Sequence, residues 1–171
     1  ESMALVGESG SGKSVSALAL LSLLPRKTAK ITAGSVKFRG EELVGASEKR
    51  MRELRGGSIA MIFQDPLSSL NPILTISDQI VEQIQAHEKA EGKRAKERAI
   101  ELLDLVGIPA ARERAKQYPH QLSVGMRHRA MIAMALSAEP ELLLENGPPT
   151  PPTVTHQAQT LETPPPLHAD P

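Results

Sequence analysis

Eight residues near the start of the chain, Gly7-Glu-Ser-Gly-Ser-Gly-Lys-Ser14, restrict its fold more than any others. They satisfy the pattern G-x-x-x-x-G-K-[ST] at every fixed position. Small residues let the backbone curl until successive N–H groups point inward at an anionic phosphate chain. The loop opens a helix whose positive N-terminal end faces the same anion. Such a loop needs a strand before it and a helix after it, and both are legible. Met3–Val6 is a short apolar run suited to a buried parallel strand, and Val15–Leu24 is a helix-forming run that Pro25 stops. In this loop Gly7, Glu8, Ser9, Gly10, Ser11 and Gly12 form the cradle, Lys13 reaches the terminal phosphates and the Ser14 hydroxyl ligates Mg²⁺, so a nucleoside triphosphate with Mg²⁺ is the expected ligand.

Composition narrows the setting. The 171 residues suit about one domain. Twenty acidic residues balance twenty basic ones, so no global field favours nucleic acid or an anionic membrane. Cysteine is absent, which excludes disulfides and thiolate metal sites. Phe38, Phe63 and Tyr118 are the only aromatic residues, too few for a base-stacking platform. The strand before the loop enters with almost nothing ahead of it, and the chain starts at Glu1 rather than Met, which predicts a piece of a longer protein.

Farther along, Ile31–Phe38 reads as a strand with a turn or bulge at Gly34. Ser47–Arg55 reads as a short charged helix closed by Gly56 and Gly57, and Ser58–Phe63 as a second buried strand. The pattern then becomes helical. Ile76, Ile80, Val81 and Ile84 share one face, with Thr75 and Asp78 as a cap. Beyond Gly92, the residues Ala95, Ala99, Leu102, Leu103 and Val106 make the apolar face of a second helix, ended by Gly107 and Pro109. Ser123 caps a helix running to about Ala138, and Leu142–Leu144 reads as a short buried strand. From Pro148 onward lie eight of the fourteen prolines, so 146–171 is expected to be extended or disordered. The whole predicts an α/β fold over residues 1–145 with a helical subdomain at about 66–138.

Four segments together resemble the ATP-binding subunits of ABC transporters. They are Gly7–Ser14, Met61–Pro72 (MIFQDPLSSLNP), Tyr118–Met126 (YPHQLSVGM) and Arg127–Leu136. The likeness is strongest to the branch that powers bacterial dipeptide and oligopeptide importers, where "FQDP" followed by "SLNP" and "YPH" ahead of the signature are usual wording. The resemblance implies a P-loop NTPase core of the ABC ATPase type, incomplete at both ends here. Gln64 then matches the glutamine that senses Mg²⁺ and the attacking water. Leu122–Met126 matches the signature usually written LSGGQ, whose Ser123 and Gly125 would meet the nucleotide of a second ATP-binding subunit. The implied partners are that second subunit and transmembrane permease subunits, and the implied place is the cytoplasmic face of the cell membrane, with the chain peripheral to it.

Two departures stand out. Val124 takes the place of a glycine, and a β-branched residue there resists positive φ and narrows the approach of a phosphate. The next motif of the family ends an apolar strand in Asp-Glu-Pro. Anchoring on Pro148 puts Asn146 at the aspartate, Gly147 at the glutamate and Thr153 at a later aspartate. Glu145 is one residue off, and along a strand that points to the opposite face. No catalytic position is therefore intact, and loss of a general base typically costs about 10²–10⁴ in rate. Nucleotide binding is expected to outlast hydrolysis. Two other readings are a non-catalytic nucleotide-binding remnant and a soluble ABC-type ATPase of DNA maintenance, the latter disfavoured by neutral charge and few aromatics.

Overall fold

The computed structural model describes residues 3, 8, 10–25, 27, 29–63, 69–87 and 92–145. The expectations for Ala4–Val6, Gly7, Ser9, Gln64, Asn146, Gly147, Thr153 and the proline-rich segment lie outside the described residues. Met3, inside them, is 98% exposed.

Helix α1, Lys13–Leu20, starts at the phosphate loop. It ends four residues short of the expected Leu24. Ser22 turns to φ +51, its N–H bonds the Ala19 carbonyl, and the Leu23 N–H bonds the Leu18 carbonyl. Pro25 also disfavours helical geometry in the residue before it. The guanidinium of Arg55 captures the released end, donating to the carbonyls of Leu21 at 2.8 Å and Ser22 at 3.0 Å.

The strand expected over Ile31–Phe38 shrinks to β1, Lys37–Phe38, paired antiparallel with β2, Glu41–Glu42. Gly34 at φ +105 bends the chain out of extended geometry, and the Glu42 carboxylate replaces ladder bonds. It accepts from the N–H groups of Val36 and Val44, both at 2.9 Å, and from the Ser35 hydroxyl. These three donors hold its carboxyl down to about 2, with the Ser35 hydroxyl contributing most. Helix α2, Glu48–Leu54, follows the sequence expectation, with the Ser47 hydroxyl accepting from the Arg50 N–H.

Strand β3, Ile59–Ile62, pairs in parallel with β4, Leu142–Glu145, in the register Ile59↔Leu142 through Ile62↔Glu145. Strand alternation gives this pair two faces. Ile59, Met61 and Leu144 pack with Leu21, Leu43, Met51 and Leu54. Ile62 and Leu143 pack instead with a larger helical cluster. β4 is half-buried rather than buried as expected, and Leu142 is 38% exposed. Among the described residues β3 is its sole strand neighbour, so its other edge gains no cover from a ladder.

The helical cluster comes from α3, Ile76–His87; α4, Gly92–Leu105; the short α5, Ala111–Arg114; and α6, Val124–Leu136. Thr75 caps α3 as expected. Its hydroxyl accepts from the Asp78 N–H at 3.2 Å and donates to the Asp78 carboxylate at 2.6 Å. Ile76, Ile80 and Ile84 face Ala95, Ala99, Leu102 and Leu103, all essentially buried. The two alanines let α3 and α6 close on α4. At the end of α4, Gly107 takes φ +75, its N–H bonding the Asp104 carbonyl while the N–H of Ile108 bonds the Leu103 carbonyl. That geometry buries Ile108 and turns the chain into α5, an element with no sequence signal of its own.

Candidate nucleotide-binding site

The described part of the phosphate loop is Glu8 with Gly10–Ser14. Gly10 at φ +82 and Gly12 at φ +92 hold conformations that side chains resist, and Gly12 is the N-cap of α1. A methyl group added at either would meet nothing within 4 Å. The glycines are therefore required by backbone angle and leave the loop open to a close-approaching ligand. The Ser11 N–H bonds the Glu8 carbonyl at 3.2 Å, which closes the turn, and the Ser16 N–H bonds the Gly12 carbonyl at 2.8 Å, which starts the helix.

Lys13 folds back across this turn. Its ammonium donates to the Glu8 carbonyl at 2.6 Å and to the Ser11 hydroxyl at 3.2 Å. A positive charge is thus tied to the mouth of a loop whose helix has no acidic residue in its first turn. This donor set fits a polyphosphate. Ser14 is exposed in the first turn of α1, next to Lys13. No group of three or more His, Asp or Glu that could hold a metal occurs among the described residues.

The second loop leads into α6. Leu122 is buried and fixes the loop from below. Ser123 is the N-cap, its hydroxyl accepting from the Met126 N–H at 3.3 Å. Upstream, residues Pro119–Gln121 form a 3₁₀ turn in which the Gln121 side chain accepts from the Tyr118 N–H at 2.8 Å, and the Tyr118 and His120 rings stack with centroids 5.7 Å apart. No positive φ is demanded of Val124. Val124 is the first residue of the helix, is not among the positive-φ residues, and is 65% exposed. A methyl group at Gly125 would meet open space. α6, like α1, has no acidic residue in its first turn.

The parallel register places the end of β3 beside the end of β4, Ile62 opposite Glu145. Gln64 follows the first and Asn146 the second by one or two residues. Ligands of open α/β sheets bind at the carboxyl ends of such strands. Glu145 shares the face of Leu143, toward the helical cluster.

A model of the ABC transporter family matches residues 1–148. The chain belongs to the ABC transporter family. It is 50% identical over 162 residues to the dipeptide transport ATP-binding protein DppD of Bacillus subtilis strain 168, covering 95% of this chain and 48% of that protein. It is 51% identical over 162 residues to the oligopeptide transport ATP-binding protein OppD of the same organism, covering 95% and 45%. The chain spans about half the length of the curated relatives it matches. Among solved structures it resembles the ATP-binding cassette MJ0796 in a dimeric post-hydrolysis state bound to ADP and Pi, with 26% identity, a TM-score of 0.76, and 91% of this chain and 65% of that one covered. A second dimeric structure of the same cassette matches with a TM-score of 0.70 and 27% identity, over 81% and 57%. The fold is that of an ABC ATPase cassette of the P-loop NTPase class. No helix among the described residues is long and apolar enough to cross a membrane.

Sequence pattern did not single out Arg55, Gln79 or Gln121. Gln79 carried a signal: it is a polar residue inside the apolar stripe of α3 and is 7% exposed.

Proposed function

We propose that this chain is the ATP-binding component of a peptide importer, in which it binds ATP well and hydrolyses it poorly. The observation that carries the reading is the 50% identity to a dipeptide transport ATP-binding protein, supported by Gly12 at φ +92 and by the Lys13 ammonium held across the loop on the Glu8 carbonyl. Gly7 to Ser14 would hold the phosphate chain, with Lys13 on the terminal phosphates. Ser14 and Gln64 would share Mg²⁺ with the nucleotide. When bound, Mg²⁺ neutralises charge that develops on the phosphates during transfer. Ser123 and Gly125 would reach the nucleotide of a second ATP-binding subunit, and permease subunits in the membrane would supply the transport path, with this chain on the inner face.

Asn146 and Gly147 support weak hydrolysis, since neither can accept a proton from water as a carboxylate does. The same two residues favour, as a second reading, a nucleotide-binding module without catalysis. Equilibrium binding of a fluorescent, non-hydrolysable ATP analogue tests the shared core of both. Saturable binding that ATP competes for, and that Lys13→Met weakens about tenfold or more through loss of a charge-assisted contact, is expected. Absence of saturable binding overturns the reading.

A further inference from the structure

Helix α3 starts from a turn that one buried side chain holds shut. The Gln79 side-chain oxygen accepts from the Asn71 N–H at 2.8 Å. Its amide nitrogen donates to the carbonyls of Asn71 at 3.0 Å and Leu74 at 3.1 Å, with Thr75 at 3.4 Å as a third, longer acceptor. An amide has two N–H donors, so its capacity is filled. A leucine or methionine would pack in this stripe without needing any of these partners. What the amide adds is geometry: a fully satisfied buried polar group admits one arrangement of the turn.

The turn is linked in space to the entrance of α6. The first-turn amides of a helix have no partner within it. In α3 they are aimed at another part of the chain. The Ile76 N–H bonds the Gln117 carbonyl and the Ser77 N–H bonds the Ala115 carbonyl, both at 2.9 Å. From Gln117 the chain passes through the Tyr118–Gln121 turn directly to buried Leu122 and to Ser123. Residues Asn71–Ser77 and Ala115–Ser123, distant in sequence, are therefore hydrogen-bonded into one body.

We propose that Gln79 is a positioning residue for the Ser123 loop: by fixing the Asn71–Thr75 turn it aims the Ile76 and Ser77 amides that hold the strand of chain entering the signature. This rests on the reading of Ser123 and Gly125 as the contact with a second copy's nucleotide. Gln79 touches no nucleotide itself, and the phosphate loop lies on a different element, so its effect is confined to the second loop.

The test compares the full chain with Gln79→Met and Gln79→Glu. Methionine keeps the volume and loses every hydrogen bond, while glutamate keeps an acceptor for Asn71 and loses the donors. Three quantities are read: amide exchange at Ile76, Ser77 and Met126; affinity for a fluorescent non-hydrolysable ATP analogue; and self-association driven by that analogue with Mg²⁺, by sedimentation. In Gln79→Met, exchange is expected to rise at all three amides and association to weaken about tenfold, with analogue affinity within about twofold of the wild type. Gln79→Glu, which sets a carboxylate oxygen against the Asn71 and Leu74 carbonyls, is expected to raise exchange and weaken association at least as much. Unchanged exchange at Met126, or unchanged association despite faster exchange, overturns the proposal. A parallel loss of analogue affinity also overturns it, because that is general destabilisation. If the wild-type chain does not associate with nucleotide, the reading of Ser123 as a contact with a second copy fails instead, and exchange at Met126 alone decides the positioning role.

Discussion

Ile62 and Glu145 stand opposite one another at the carboxyl ends of two parallel strands. The pairing brings together the exits of two segments that lie far apart in sequence, one leading to Gln64 and the other to Asn146 and Gly147. An ABC cassette gathers its metal-sensing and water-activating groups at such strand ends. In this chain the two residues after Glu145 are an amide and a glycine, Asn146 and Gly147. On the proposed reading, binding rests on the phosphate loop at the start of α1, while cleavage depends on the residues that follow β4.

Gly12 and Gly125 are predicted to respond in opposite ways to alanine. Gly12 sits at φ +92, so Gly12→Ala should cost about 1–2 kcal/mol of stability although nothing crowds the added methyl. Gly125 lies inside α6 with no positive φ, so Gly125→Ala should stabilise by roughly 0.5–1 kcal/mol. Urea unfolding of the two variants checks both signs.

Ser123 has a structural role apart from any phosphate. Its hydroxyl caps α6 through the Met126 N–H. Ser123→Ala should cost about 1 kcal/mol in unfolding free energy, and Ser123→Gly only a few tenths. Ser123→Gly is thus the variant that removes the hydroxyl with little loss of fold. No destabilisation by alanine would mean that the cap contributes nothing.

The Glu42 clasp predicts a pH response at the β1–β2 hairpin. Three donors hold its carboxyl down to about 2, below its unfolded value near 4.5. A depressed folded value means that the stabilisation is fully present above about 4.5 and is lost as pH falls through about 2. The amide chemical shifts of Val36 and Val44, both bonded to this carboxylate, should titrate with a midpoint near about 2. A midpoint near 4.5 would show that the clasp does not form.

The helices were legible because their signals are local. Ser47, Thr75 and Ser123 each cap as their side chains suggest, and the isoleucine spacing of α3 gives its buried face directly. The strands were less legible. β1 is cut short by a bend at Gly34 and by a carboxylate that takes the place of ladder bonds, and the Glu42 side chain acts from outside the segment it alters. The exposure of β4 depends on which strands flank it, which the run Leu142–Leu144 does not encode. At the site, the glycine angles followed from the loop pattern. Val124 faces no positive-φ requirement, because it is the first helical residue after the Ser123 cap. The partners of Gln79 are backbone groups, the Asn71 N–H and the carbonyls of Asn71 and Leu74, which side-chain spacing does not reveal.

We propose that Asn146 and Gly147 limit the cleavage of a bound ATP. Phosphate release from ATP should be measured for this chain beside a variant carrying Asn146→Asp and Gly147→Glu, with affinity for the non-hydrolysable analogue measured in both. Affinity should agree within about twofold, while hydrolysis by the double variant should exceed that of the parent by about 10²–10⁴, the usual contribution of a general base. A parent chain that already hydrolyses ATP within about tenfold of the double variant would contradict the separation of binding from cleavage.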